Sequence, residues 1–141
     1  NGLDLYGLGM SSISSVGEYY FQSEKELDKW SEAIESRGNA WIKGLRLNRE
    51  DLMRRDIIMR LMCSRSLNFR EIWDVWHVNV KEYFRAELAQ LKPLEEDGFL
   101  HLTPEGIIIH PRGRSFLRNI AMVFDAYLNK HSAKPVFSKT V

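Results

Sequence analysis

The sequence predicts a mainly α-helical protein in which a small helical domain carries a β-hairpin wing and is preceded by a separate strand and helix. Apolar residues recur at spacings of three and four along residues 48–63 and 80–92 and again after Pro111, which is the pattern of amphipathic helices. Two β-rich runs flank residues 103–106, a Thr-Pro-Glu-Gly sequence typical of a tight turn. The composition changes near Arg46, where we place the boundary between the two parts.

The composition excludes several classes of protein. The 141 residues are 44% hydrophobic and 28% charged, which is ordinary for a globular domain, and no apolar run is long enough to predict a membrane span. The net charge of +1 provides no overall field that would recruit nucleic acid or an anionic membrane, so neither is an expected partner. The single cysteine cannot form an internal disulfide and no signal-peptide pattern is present, so a cytoplasmic location is predicted.

The first part is predicted to contain one strand and one helix. The chain begins with Asn1 rather than methionine and enters a strand-like run directly, so we expect a piece of a longer protein. Residues 3–15 pass from an apolar run into glycines and serines, the pattern of a strand that ends in a loop. Ser23 and Glu26 have the spacing of a capping box, which predicts a helix from there to Gly38.

The second part begins with three predicted helices. Asn48 is a good N-cap residue and opens the amphipathic helix over 48–63. A short helix is predicted over 69–76 and a longer one over 80–92, which Pro93 should keep from continuing.

The hairpin and the last helix complete the second part. Residues 98–102 and 107–110 are predicted to pair, so that His101 and His110 face each other across the hairpin. The helix after Pro111 has the most regular apolar spacing in the chain, carried by Phe116, Ile120, Val123, Phe124 and Tyr127.

Three residue types in this chain are candidates for a functional role. Cys63 occupies a position in the apolar stripe of its helix and nothing nearby in the sequence would activate its thiol, so we expect a buried core cysteine. The four histidines have no metal-ligand spacing, and no metal site is predicted. Arg54, Arg55 and Arg60 are predicted to form a solvated helix face with intrahelical ion pairs, the alternative being that they bind anionic propionates.

Several segments resemble one enzyme family when they are taken together. The run Tyr-Gly-Leu-Gly-Met-Ser-Ser-Ile-Ser at residues 6–14 is similar to the C-terminal third of the oxygen-independent coproporphyrinogen III oxidases. The same similarity extends through four later segments, and the matches run in order along almost the whole chain. These segments are residues 38–40, 44–47, 54–58 and 118–128.

The resemblance implies a larger radical S-adenosylmethionine enzyme. Residues 1–46 would be the last strand and helix of its partial β/α barrel, and residues 47–141 its helical C-terminal domain. The implied reaction converts two propionates of coproporphyrinogen III to vinyl groups, giving protoporphyrinogen IX in haem synthesis. The implied cofactors are S-adenosylmethionine and a 4Fe-4S cluster, and the implied partner of this chain is its own N-terminal barrel.

The same resemblance implies that this chain is inactive alone. The family binds its cluster through three cysteines spaced C-x-x-x-C-x-x-C, and this chain has one cysteine. We therefore expect no cofactor to bind the fragment by itself, and we predict no catalytic residue and no metal ligand in it.

Four residues are predicted to contact S-adenosylmethionine in the full-length protein. Gly7 and Gly9 would let the backbone approach the ligand closely, although a plain tight turn needs the same residues. Ile13 matches a family position beside the bound cofactor, where an apolar side chain packs; otherwise it is a core residue. Ser11 could hydrogen-bond a carboxylate or ribose, or cap its own loop.

Two other functions are alternatives for this sequence. One is that of a relative of the family that acts in haem trafficking. The other is nucleic-acid binding, because a helical domain with a wing followed by Arg112, Arg114 and Arg118 is what a winged helix-turn-helix can look like. The low net charge counts against the second.

Overall fold

The computed structural model describes residues 3–130 and divides the chain into two compact units, Asn1–Leu52 and Met53–Val141. Helices and small antiparallel sheets make up both units. No described helix is both long enough and apolar enough to cross a membrane.

The first unit contains a three-stranded antiparallel sheet rather than the single strand that we predicted. Its strands are β1 (Ile13–Val16), β2 (Tyr19–Ser23) and β3 (Trp41–Arg46), in that order, and helix α1 (Leu27–Arg37) connects β2 to β3. The predicted strand over residues 3–9 is reduced to one isolated bridge between Leu5 and Ser15. The strands were missed because their partners are distant in sequence or lie across a short turn that the apolar pattern did not mark.

Helix α1 begins later than predicted. Ser23 is the last residue of β2, so it does not cap the helix, and Glu26 takes the N-cap position without a capping hydrogen bond between its side chain and the helix backbone. Ser23 instead accepts a hydrogen bond from Ser12 Oγ at 3.0 Å. The end of the helix is confirmed, since Gly38 N–H donates to the carbonyl of Ile34 at 2.9 Å.

Helix α2 (Arg49–Ser64) is confirmed with its cap. Asp51 N–H donates to Asn48 Oδ1 at 2.9 Å, and Asn48 N–H donates to Asp51 Oδ2 at 3.0 Å. The predicted burial of Cys63 is wrong, because its side chain is exposed. Buried Leu61 sets the core-facing side, and a residue two positions later points about 200° away around the helix.

Helix α3 (Phe69–Trp76) matches its prediction, whereas the next predicted helix is two helices. Helix α4 (Val80–Tyr83) ends at Phe84, whose φ of −103° and ψ of 29° break the helix, and α5 (Arg85–Glu96) follows. Phe84 is fully buried, so packing selects the break. Helix α5 continues through Pro93, contrary to expectation, although a proline inside a helix costs about 3 kcal/mol. Leu91 is buried on this helix and Leu94 packs against the core, and both contacts favour the continuous helix.

The hairpin is confirmed and belongs to a three-stranded antiparallel sheet. Its strands are β4 (Ser66–Asn68), β5 (Leu100–Leu102) and β6 (Gly106–Ile109), with β6 in the middle. The predicted pairing of His101 with His110 is wrong, since His101 lies opposite Ile108.

The predicted long helix after Pro111 is three shorter segments. They are a 3-10 helix (Pro111–Phe116), α6 (Leu117–Met122) and α7 (Ala126–Lys130). Gly113 packs so closely on the hairpin that a Cβ atom there would lie 2.0 Å from the carbonyl oxygen of Phe99. The close contact between the two backbones therefore requires glycine at position 113.

One core unites the second unit. It is formed by side chains from α2 to Phe124, which follows α6, and its largest fully buried members are Phe84, Phe124, Ile57, Leu61, Leu67, Ile72, Leu91, Leu100, Ile107 and Ile120. Apolar burial on this scale is the main stabilising contribution in a domain of this size.

Candidate cofactor-binding loop

The predicted cofactor residues lie in a loop that enters β1, residues 7–12, and at the first position of that strand. The chain ahead of the loop is fixed beside β1, because Leu5 and Ser15 exchange two backbone hydrogen bonds of 2.8 Å. Gly7 N–H donates to Ser14 Oγ at 3.0 Å, which holds the start of the loop against the strand.

The far end of the loop is fixed to the end of β2. Ser11 N–H donates to the carbonyl of Glu24 at 2.7 Å, and Ser23 N–H donates to the carbonyl of Ser12 at 2.9 Å. The loop is therefore held at both ends by backbone hydrogen bonds, which favours one defined conformation.

Glycine is required at positions 7 and 9 for different structural reasons. A Cβ atom on Gly7 would lie 2.7 Å from the carbonyl oxygen of Ile13, so the approach of the loop to β1 requires glycine there. Gly9 has a φ of 86°, a left-handed conformation that side chains disfavour. Ser11 also has a positive φ, of 60°, and its side chain is exposed.

The loop presents apolar side chains to its surroundings. Ile13 is 56% exposed, whereas Ser14, which points to the other face of the sheet, is 3% exposed. Leu8 and Met10 are 91% and 45% exposed. Gly7, Gly9, Ser11 and Ile13 thus lie in one short segment that backbone hydrogen bonds hold at both ends, and Ile13 lies outside the core.

The side chains of the loop at residues 7–12 include no acid or base that could transfer a proton. Its side chains are apolar or hydroxyl-bearing, and its polar capacity comes from backbone groups and Ser11. Apolar surface beside a few backbone and hydroxyl groups suits the adenine, ribose and methionine parts of S-adenosylmethionine. Within the described residues, no group of His, Cys, Asp and Glu side chains could hold a metal ion.

Sequence reasoning missed an aromatic row on the same sheet. Phe21 stacks on Trp41 at 4.6 Å between ring centroids and on Tyr19 at 6.0 Å. Arg46 follows at the end of the row, with its guanidinium 5.9 Å from the Tyr19 ring centroid. The alternation of Tyr19 and Phe21 was a usable signal for a strand with one aromatic face.

A cleft of about 470 Å³ lies at the end of this row and includes none of the loop residues that we predicted as ligands. It is lined by Glu18, Arg46, Leu47, Asn48, Arg49 and Leu52. Glu18 Oε1 accepts a hydrogen bond from Arg46 at 3.1 Å, and this bond raises the pKa of the Arg46 guanidinium.

Arg54 is not on the solvated face that we predicted. Its side chain is 13% exposed, and its Nη1 donates to Glu87 Oε1 at 2.9 Å and to the carbonyl of Phe124 at 3.0 Å. The guanidinium also lies 5.0 Å from the centroid of the Phe84 ring. These contacts connect three parts of the second unit, so Arg54 is a packing residue.

Comparison with known proteins identifies the family. The model of the HemN C-terminal domain matches residues 47–116. The oxygen-independent coproporphyrinogen III oxidase of Salmonella typhimurium is 39% identical over 138 residues, which are 98% of this chain and 30% of that protein. This chain belongs to the HemN family.

Other members of the HemN family show the same relation. The oxidase of the same name from Thermostichus vulcanus is 40% identical over 98% of this chain and 42% of its own length. A solved structure described as "Coproporphyrinogen III oxidase (HemN) from Escherichia coli is a Radical SAM enzyme" is similar with a TM-score of 0.82 and 39% identity, over 88% of this chain and 29% of that one. The chain thus spans less than half the length of these relatives.

Proposed function

We propose that this chain is the C-terminal part of a radical S-adenosylmethionine enzyme that oxidatively decarboxylates two propionates of coproporphyrinogen III, giving protoporphyrinogen IX. The observation that carries the proposal is the similarity in both fold and sequence to the solved structure described as coproporphyrinogen III oxidase from Escherichia coli, with a TM-score of 0.82 at 39% identity. Such similarity in both respects supports a shared role more strongly than fold alone.

We assign residues 1–46 to the end of the barrel and residues 47–141 to the C-terminal domain. The family model, which begins at residue 47, supports this boundary. The order of helices and strands in the second unit, with β6 between β4 and β5, supports the comparison with a winged helix.

The loop at residues 7–12 and Ile13 would contribute to the S-adenosylmethionine site. Ile13 would pack on an apolar part of the cofactor, the backbone at Gly7 and Gly9 would pass close to it, and Ser11 would hydrogen-bond its ribose or carboxylate. The exposed apolar side chains beside fixed backbone groups fit such a ligand. When bound and reductively cleaved, S-adenosylmethionine supplies the radical that removes a hydrogen from the propionate β-carbon.

The 4Fe-4S cluster does not fit this chain alone. Its family motif needs three cysteines, whereas the chain has only Cys63, exposed at the end of α2. The cluster ligands would come from the larger part of the protein, and the 141-residue chain would be inactive by itself. The cytoplasmic location stays a prediction.

Anaerobic turnover by the full-length protein tests the proposal. The protein is reconstituted with iron and sulfide and given coproporphyrinogen III, a reductant and S-adenosylmethionine. We expect protoporphyrinogen IX and 5′-deoxyadenosine from the full-length protein and neither product from residues 1–141 alone. Tight haem binding without porphyrin product would instead indicate the haem-trafficking relative.

A further inference from the structure

The second unit contains a basic segment, residues 107–124, that has no acidic residue of its own. Residues 107–124 include Arg112, Arg114 and Arg118 but no aspartate or glutamate, although the whole chain has a net charge of only +1. All three arginines are exposed, and none forms an ion pair or a side-chain hydrogen bond within the described part of the chain. Their guanidinium groups are therefore available to an anion without breaking an existing pair.

The segment that carries these arginines is rigidly mounted. Gly113 packs directly on the backbone of Phe99, since a Cβ atom at position 113 would clash with the Phe99 carbonyl oxygen. Phe116 stacks on Phe99 with 4.4 Å between ring centroids. Further along, Ile120 and Ala121 are buried in the core. An anchored backbone reduces the entropy that is lost when the side chains bind a ligand.

The spacing of the arginines fits an anion with several separated charges. Arg112 is the second residue of the 3-10 helix and Arg118 is the second residue of α6, so the six positions between them place their Cα atoms at most about 12 Å apart. Each long side chain adds reach around its position. Guanidinium groups bind carboxylates through paired hydrogen bonds, which a lysine cannot reproduce.

We propose that Arg112, Arg114 and Arg118 bind propionate carboxylates of the tetrapyrrole substrate, including those that the reaction leaves unchanged. This inference rests on the proposed function, because coproporphyrinogen III is an anion with four propionates. The three arginines are positioning residues that hold the substrate and take no part in hydrogen removal.

The surroundings disfavour a nucleic acid on the same arginines. Arg112 Nη1 lies 3.9 Å from the Cβ position of Gly98, which directly follows Glu95, Glu96 and Asp97 at the end of α5. A long polyanion crossing the segment would meet these carboxylates, whereas a compact ligand need not. Non-specific nucleic-acid binding requires many unopposed phosphate contacts.

The test uses the full-length protein with Arg112, Arg114 and Arg118 all replaced by glutamine, and the matched control Arg85→Gln, an exposed arginine on α5. We expect the triple variant to raise the KM for coproporphyrinogen III about tenfold with little change in kcat. It should weaken binding of coproporphyrin III, followed by fluorescence, by a similar factor. The affinity for coproporphyrin III tetramethyl ester, which lacks free carboxylates, should be the same in the triple variant and the wild type.

The outcomes separate this inference from the proposed function. If the wild-type protein makes no protoporphyrinogen IX, the proposed function is wrong. If the wild type is active and the triple variant has the same KM and the same affinity for coproporphyrin III, only the inference about the arginines is wrong. Loss of affinity for duplex DNA at low salt, without any loss for coproporphyrin, would also overturn it. Thermal unfolding checks each variant, and if the triple variant unfolds, the three single Arg→Gln variants decide on the same readouts.

Discussion

At the scale of single residues, Ile13 is the proposed apolar contact with the cofactor. It begins a strand, yet it is 56% exposed, while the next residue, Ser14, is buried. A large aliphatic side chain in that position stabilises the described part of the chain little. Its place beside a loop held by backbone hydrogen bonds favours contact with a cofactor or with another part of the full-length protein.

We predict that Ile13→Asp in the full-length protein lowers S-adenosylmethionine affinity by about tenfold or more, because an apolar contact is lost and a carboxylate must be desolvated. Equilibrium binding of S-adenosylmethionine to the reconstituted protein measures the effect. Ile42→Asp is the control, since Ile42 is also exposed, at 42%, and lies on β3 of the same sheet. Equal losses in both variants would contradict a specific role for Ile13.

At the scale of helices and strands, the nearly buried ion pair between Arg54 and Glu87 connects α2 to α5. Both side chains are more than four-fifths buried, and the same guanidinium reaches the carbonyl of Phe124. Removing one member leaves the other charge desolvated without a partner.

We predict that Arg54→Met lowers the free energy of unfolding of this chain by about 3 kcal/mol, measured by equilibrium urea denaturation. The control is Arg70→Met, which breaks the exposed pair with Asp74 and should cost less than about 1 kcal/mol. An Arg54 variant as stable as the Arg70 variant would show that the pair contributes little.

The elements that sequence reasoning found are those with local signals. Asn48 and Asp51 cap each other within one helical turn, and the hairpin turn is marked by Pro104 and Gly106, so α2 and the hairpin were predicted closely. Phe84 breaks a helix for reasons of core packing, which no neighbouring residue announces.

The candidate loop was found through its resemblance to a family and through its glycines. The contacts that fix it could not be read from the sequence, because Ser11 and Ser12 bond to the end of β2 across more than ten residues. The burial of Arg54 was missed for the same reason, since its partners Glu87 and Phe124 come from distant segments.

At the scale of the whole molecule, the chain spans about 30% of the oxidase from Salmonella typhimurium that it matches along 98% of its own length. In the proposed function, the ligands of the 4Fe-4S cluster come from the rest of the full-length protein. In this proposal, residues 7–13 contact S-adenosylmethionine, and Arg112, Arg114 and Arg118 of the basic segment bind the carboxylates of the substrate.

The most direct measurement of the central proposal is the ratio of 5′-deoxyadenosine to protoporphyrinogen IX formed anaerobically by the full-length protein. Each propionate that becomes a vinyl group requires one hydrogen removal and therefore one cleaved S-adenosylmethionine. The proposal predicts two deoxyadenosines for each protoporphyrinogen IX, with both products dependent on coproporphyrinogen III. Deoxyadenosine without porphyrin product, or porphyrin product without S-adenosylmethionine, would contradict it.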